Sequence, residues 1–160
     1  MTTRRAKPED SSAIAALWME MMGEHAERDP RFAISAGGEA AYRDYVQGVL
    51  DNPDVAVYVA EAEGTPVGYT IALILENPSV FELKKYGFIG EMIVTKEFRR
   101  SGLGNELWDR ARRWFLRKGV SVAQLNVSGL NASGKAFWES VGFRDFLEIK
   151  WLDLDTEAHP

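Results

Sequence analysis

Apolar residues recur along this chain with two periods, and the switches between them divide it into elements. Thr2–Ala6 reads as a short strand. Pro8 suits the first turn of a helix, where its missing N–H costs nothing. Ile14, Leu17, Trp18 and Met21 then fall at i, i+3, i+4 and i+7, an apolar helical stripe. Asp29-Pro30 breaks it. Tyr42, Tyr45, Val46 and Val49 repeat the spacing and predict a second helix from about Glu39 to Leu50. After the turn Asn52-Pro53 the period drops to two. Val55, Val57 and Val59 mark a strand, Glu63-Gly64 a hairpin turn, and Pro66–Leu75 a second strand. Asn77-Pro78-Ser79 opens a polar loop, and Tyr86–Val94 reads as another strand.

The helical period returns over Gly102–Arg117, with Leu107, Ala111, Trp114 and Phe115 inward. Lys118-Gly119 ends it with a cation and then glycine. Ser121–Val127 is predicted as a strand, Asn131–Val141 as a short helix capped by Gly142, and Phe146 to Leu154 as a last strand. Residues 1–155 read as one domain and Thr156–Pro160 as a loose tail. The order is β-α-α-β-β-β-α-β-α-β. Hairpins in the first half imply antiparallel strands, and helical crossovers in the second half imply parallel pairing. The expected class is therefore α/β, a central mixed sheet with helices on both faces.

Composition narrows the chemistry. A chain of 160 residues, 46% hydrophobic, fits one domain with a sizeable core. It has no cysteine, which excludes disulfides, thiol catalysis and cysteine-ligated metals. Its two histidines, His25 and His159, are far apart in sequence, so no metal is expected and a Ser-His-Asp hydrolase is disfavoured. The net charge of −5 argues against nucleic-acid binding. No stretch is apolar and long enough to span a membrane. Arg4-Arg5 is followed by Lys7-Pro8-Glu9-Asp10, where an export signal requires apolar residues. The expected location is cytoplasmic. Charge is uneven, however: Arg99, Arg100, Arg110, Arg112, Arg113, Arg117 and Lys118 crowd together. For most of these a solvated helix face suffices. At Arg99 and Arg100 attraction of an anion gains weight from the glycines at positions 102 and 104.

The strand Ile89–Val94 runs through Thr95-Lys96-Glu97-Phe98 into Arg99-x-x-Gly102-x-Gly104, and a helix begins at once. Glycines there let the backbone approach a ligand closely. The free N–H groups of a first helical turn carry partial positive charge, which makes an anion site. Arg99 and Arg100 add fork-shaped donors. A phosphate or pyrophosphate is the expected ligand, although the turn alone equally fits an ordinary glycine-rich helix start. It is not a P-loop, since it lacks the Gly-Lys-Ser/Thr of that motif. It is not a Rossmann fingerprint, since the preceding strands read as antiparallel and the spacing differs.

The segment Val94-Thr-Lys-Glu-Phe-Arg-Arg-Ser-Gly-Leu-Gly104 resembles the acetyl-CoA motif of the GNAT superfamily of N-acetyltransferases, Gln/Arg-x-x-Gly-x-Gly/Ala. Downstream, Asn131 followed by Phe137-Trp138-Glu139-Ser140-Val141-Gly142-Phe143 resembles that family's second motif, Asn-x-x-Ala-x-x-x-Tyr-x-x-x-Gly-Phe. The resemblance is strong from Tyr86 to Phe143 and architectural before that. It implies a GNAT-like fold, acetyl-CoA as cosubstrate, no metal, and transfer to a primary amine of a small molecule, amino acid or peptide. It also implies a possible homodimer. Backbone N–H groups of Arg100, Ser101, Gly102, Leu103, Gly104 and Asn105, with Arg99, would cradle the pyrophosphate. The strand Met92-Ile93-Val94 would pair with the pantetheine arm through Met92 and Val94, and Asn131, Lys135 and Trp138 would meet the cofactor from the short helix.

Direct attack requires the acceptor ammonium, with a pKa near ~10.4, to lose a proton first. Glu91 is the candidate base, read as sharing a strand face with Ile89 and Ile93. The alternatives for it are a structural partner to an arginine or simple exposure. The Met92 N–H is placed to stabilise the oxyanion. Trp138 stands where the family usually has Tyr and carries no usable acid, so Tyr86 or water is the candidate donor to the thiolate. Gly134 stands where the family usually has Ala, and one final strand replaces the usual pair. Trp18, Phe32, Tyr42 and Tyr45 are divided between acceptor pocket and core. Two other readings stay open: a non-catalytic acyl-CoA-binding module, and a nucleotide-binding protein using the same turn.

Overall fold

The computed structural model describes residues 1–154. The elements follow the order β1 (Thr2–Arg5), α1 (Ser11–Arg28), α2 (Gly38–Val49), β2 (Val55–Ala62), β3 (Thr65–Glu76), β4 (Lys85–Val94), α3 (Leu103–Arg117), β5 (Ala123–Leu125) and α4 (Ala132–Ser140). The strands form one five-stranded sheet in the order β1-β2-β3-β4-β5. The first three pairings are antiparallel and β4–β5 is parallel. The mixed sheet expected from hairpins followed by helical crossovers is therefore present.

Alternation along the strands sends side chains into two cores. On one face Val55, Val57, Val59, Tyr69, Ile71 and Ile93 pack against Ile14 and Leu17 of α1 and Tyr42 and Val46 of α2. On the other, Ala56, Tyr58, Ala72 and Ile89 pack against Leu103, Leu107, Ala111, Trp114 and Phe115 of α3. Full burial of such side chains stabilises by about 1.5–3 kcal/mol each. The small residues on the α3 side of the sheet let that helix lie close. At Gly87 a Cβ would come within 2.7 Å of the Phe115 ring, so the glycine makes room for the aromatic.

β4 carries a bulge. Ile71 opposes Glu91 while Ala72 opposes Ile89, so Gly90 is the extra residue. An inserted residue reverses the alternation beyond it. Ile89 consequently faces α3, whereas Glu91 and Ile93 face α1 and α2. This corrects the expectation that Ile89, Glu91 and Ile93 share one face: uninterrupted alternation does not hold across Gly90.

Two predicted strands also change. The expected Ser121–Val127 strand is a ladder over Ala123–Leu125. The expected strand from Phe146 to Leu154 pairs with no strand among the described residues. Its alternating apolar sequence is real, but a ladder needs an available edge. The predicted tail Thr156–Pro160 lies outside the described residues. Among the described residues, no helix is long and apolar enough to cross a membrane.

Candidate functional site

The sheet splits at the bulge. β4 pairs with β3 as far as Val94, but with β5 only as far as Ile89. From Gly90 to Val94 the second edge of β4 has no strand beside it among the described residues. In an antiparallel ladder alternate residues turn their peptide groups toward the partner. Thr95 N donates to Val67 O across the ladder, so the phase is set. Met92 and Val94 therefore turn their peptide groups to the uncovered edge, where Arg99 Nε already donates to Val94 O at 2.9 Å. Ile93 points its groups at β3 and buries its side chain in the α1/α2 core.

That edge leads into the glycine turn. Arg100 (φ 62) and Gly102 (φ 92) adopt left-handed backbone, and Ser101 Oγ closes the bend on Phe98 O at 2.6 Å. The left-handed bend aims the N-terminus of α3 outward. Gly102 caps the helix without any side-chain bond, so the N–H groups of Leu103, Gly104 and Asn105 have no intrahelical acceptor. A Cβ on Gly102 would meet nothing within 4 Å, whereas one on Gly104 would lie 3.3 Å from the Phe137 ring. The donors of a 15-residue helix are thus exposed at an open surface, beside the exposed Arg100. Such an array fits an oligophosphate. Leu103 itself anchors the turn by burying its side chain, and Asn105 is exposed.

Arg99, expected as a phosphate ligand, is paired with a carboxylate of α1. Its Nη2 donates to Glu24 Oε1 of α1 at 2.6 Å, with Lys96 and Arg28 also near that carboxylate. Burial pushes the Glu24 carboxyl up, but Arg99, Lys96 and Arg28 outweigh it and hold it below its ordinary value. Arg99 ties α1 to the end of β4. The contact joins residues far apart in sequence, so local spacing gives no sign of it.

Glu91 is held by a tyrosine, not by an arginine. Tyr42 Oη donates to Glu91 Oε2 at 3.1 Å and lies 3.0 Å from Tyr69 Oη. Trp18 stacks on Tyr42 with ring centroids 4.2 Å apart, and Tyr45 lies tilted at 5.7 Å. Burial raises the Glu91 carboxyl above its ordinary value, and the Tyr42 bond offsets part of this. Burial also raises Tyr42, Tyr69 and Tyr45, each further raised by Glu91. A half-buried carboxylate with a raised pKa and only neutral hydrogen-bond donors is suited to taking up a proton. Tyr69 escaped the sequence reading because an alternating strand residue carries no mark of the helix it will meet.

α4 closes the other side of the fork. Asn131 caps it by accepting from Gly134 N at 3.1 Å and Ser133 Oγ at 3.2 Å. A Cβ on residue 134 would fall 2.5 Å from Asn131 Nδ2, which accounts for glycine where the resembled motif has alanine. Lys135 lies one turn in, half-buried. Trp138 sits in an aromatic cluster, edge-on to Trp108 of α3 at 6.0 Å, Phe143 at 5.3 Å and Phe137 at 4.9 Å. It holds α4 to α3 and supplies no acid. Tyr86 lies in the paired half of β4, opposite Leu75, on the far side of the bulge from Glu91. Thr95 Oγ1, where β4 enters the turn, is the one buried side-chain polar atom without a partner among the described residues.

Trp138→Phe is expected to cost about 1–3 kcal/mol in denaturant unfolding, since it removes packing alone. It should leave the pH profile of kcat unmoved. Loss of turnover in a well-folded Trp138→Phe protein would assign the indole a chemical role.

Among the described residues no cluster of His, Asp or Glu is arranged to hold a metal. The model of the acetyltransferase (GNAT) family matches residues 18–143. An uncharacterized N-acetyltransferase of Archaeoglobus fulgidus is 34% identical over 102 residues, spanning 64% of this chain and 69% of that protein. Among solved structures, a mutant of the Bacillus halodurans protein BH1408 superposes with a TM-score of 0.86 at 22% identity, covering 96% of this chain and 99% of that one. The aminoglycoside N-acetyltransferase AAC(6')-Iy, in complex with CoA, superposes at 0.75 with 17% identity, covering 97% and 95%.

Proposed function

Because the chain belongs to the acetyltransferase (GNAT) family, we propose that it transfers acetyl from acetyl-CoA to a primary amine of a small molecule, amino acid or peptide, by direct attack in a ternary complex. The observation that carries this reading is the place of Glu91: a proton acceptor on the one strand whose edge is open and leads to an uncapped helix N-terminus.

The chain's residues divide the work. The N–H groups of Leu103, Gly104 and Asn105, with Arg100, hold the pyrophosphate. Met92 and Val94 pair with the pantetheine arm as a strand would, and Asn131, Lys135 and Trp138 border it. The CoA thioester supplies the activated acetyl group. Glu91 takes the proton from the acceptor ammonium, directly or through one water, and Tyr42, itself bonded to Tyr69, holds its carboxylate in place. The Met92 N–H donates to the charge developing on the acyl oxygen. A thiol pKa near ~8.5 lets the thiolate leave without a dedicated acid, which suits a site with Trp138 at the position of the family's tyrosine.

That tryptophan favours a second reading, a non-catalytic acyl-CoA-binding module. One assay separates the two. Incubation of the protein with acetyl-CoA and a panel of amines should release free thiol with at least one acceptor. Saturable CoA binding with no thiol release across the panel would favour the module. Absence of CoA binding would remove both.

A further inference from the structure

An amine that reaches Glu91 arrives along the α1/α2 face of β4, and the helices on that face supply its walls. α1 turns Trp18, Met21, Met22 and His25 to one side, since at about 100° per residue these positions fall within about 100° of one another. All four are half-buried. Tyr42 of α2 stacks on Trp18, Tyr45 leans against Tyr42, and Phe32 lies 5.2 Å from the His25 ring. His25 adds little charge at neutral pH, because burial and the nearby Arg28 hold it below its ordinary value. Tyr45 is the accessible ring, 42% exposed. Burial and then the Glu91 charge raise its phenol, so it stands close to that carboxylate. The wall is a row of rings and methionines with one carboxylate at its foot.

The other carboxylates of α1 and α2 are turned away or already matched. Glu20 and Glu27 fall on the opposite side of α1 from Trp18. Glu24 meets Arg99, Lys96 and Arg28, three cations around one anion. On α2, Asp44 pairs with Arg43, and Glu39 lines a different hollow with Ser12, Met19 and Arg43. One ammonium therefore finds a partner in Glu91. A second ammonium on these walls would lose water with no free carboxylate to offset it, and toward the end of α1 it would meet a net positive cluster.

We propose that the acceptor is a monoamine on an aromatic body, with its ammonium at Glu91 and its ring against Tyr45, in the row that Tyr42 and Trp18 continue. Offset and edge-on ring contacts are favourable beyond the area they bury, and an ammonium beside aromatic faces gains a cation–π attraction. This acceptor class rests on the acetyl-transfer reading, which puts the amine at Glu91, and it excludes polyamines.

Calorimetric titration of the full chain, in the presence of CoA, compares 2-phenylethylamine, hexylamine and spermidine. The aromatic amine should bind saturably, roughly 3–10-fold tighter than hexylamine, with spermidine weakest. Tyr45→Leu keeps an apolar side chain and removes the ring. It should weaken 2-phenylethylamine by roughly 3–10-fold, and Tyr45→Phe should bind that amine more tightly than Tyr45→Leu does. Tyr45 is exposed, so both variants should keep the parent's circular dichroism. Thiol release from acetyl-CoA with each amine separates the two readings. Saturable, ring-dependent binding of 2-phenylethylamine without thiol release would uphold the aromatic wall and remove acetyl transfer. Thiol release with spermidine and none with 2-phenylethylamine would uphold transfer and overturn the acceptor class. Spermidine binding as tightly as the aromatic amine, or a Tyr45→Leu protein that binds 2-phenylethylamine like the parent, would also overturn it.

Discussion

Glu91→Gln is expected to lower kcat by roughly 10²–10⁴-fold, the usual consequence of losing a general base, while CoA affinity stays close to that of the parent chain. The amide keeps the shape and can still accept from Tyr42 Oη, so the neighbourhood of Tyr42 and Tyr69 is retained. Only the capacity to take a proton is lost. The parent kcat should fall as pH drops through the Glu91 pKa, and burial places that limb above the ordinary carboxylate range. The variant should lack the limb.

A stability measurement checks the same residue from the other side. A carboxyl whose folded pKa is raised stabilises the fold fully below its unfolded pKa, and that contribution is lost as pH rises through the folded pKa. Glu91 therefore weakens the folded state at neutral pH. Glu91→Gln should melt higher than the parent at pH 7, with the advantage shrinking to nothing toward pH 4. Lower activity with higher stability is what a residue held in a strained environment for chemistry should show. Near-normal kcat in a folded variant would exclude Glu91 as the base.

Gly102→Val is expected to abolish the rise in melting temperature that CoA produces. At ligand near ~100 Kd the parent should gain about 2.7 kcal/mol, roughly 5–10 °C for a chain of this size. Valine at φ 92 is strained, and its branches project into the open space over the α3 N-terminus, where a phosphate would sit. Strain alone costs about 1–3 kcal/mol, so a control is needed. Gly64 has φ 81 in the β2–β3 hairpin, with nothing within 4 Å of its missing Cβ. Gly64→Val should lower the baseline melting temperature and keep the CoA shift. An undiminished shift in Gly102→Val would place the cofactor elsewhere.

Residues that act through their immediate neighbours were readable in the sequence. The stripe Ile14, Leu17, Trp18 and Met21 lies along α1 and packs on the sheet-side core, Ile14 and Leu17 buried in it and Trp18 and Met21 partly buried against it. The glycines of the turn cap α3 as their spacing predicts, because a positive φ is a one-residue property. Other features depended on partners distant in the chain. Arg99 is tied to Glu24, 75 residues away. Glu91 meets Tyr42 of α2 because Gly90 reverses the strand, and only the ladder with β3 shows that a residue has been inserted.

By itself, then, the sequence determined the order and type of the elements through β4 and α3, the mixed sheet and the glycine turn that caps α3, since periodicity and turn chemistry are short-range. The tertiary structure alone decided which face Glu91 takes, what holds its proton affinity up, which carboxylate Arg99 pairs with, and that the last apolar segment pairs with no strand among the described residues. Each of these turns on register, burial or a long-range contact. Such quantities exist only once the strands have been placed side by side and water has been excluded from between the sheet and its helices.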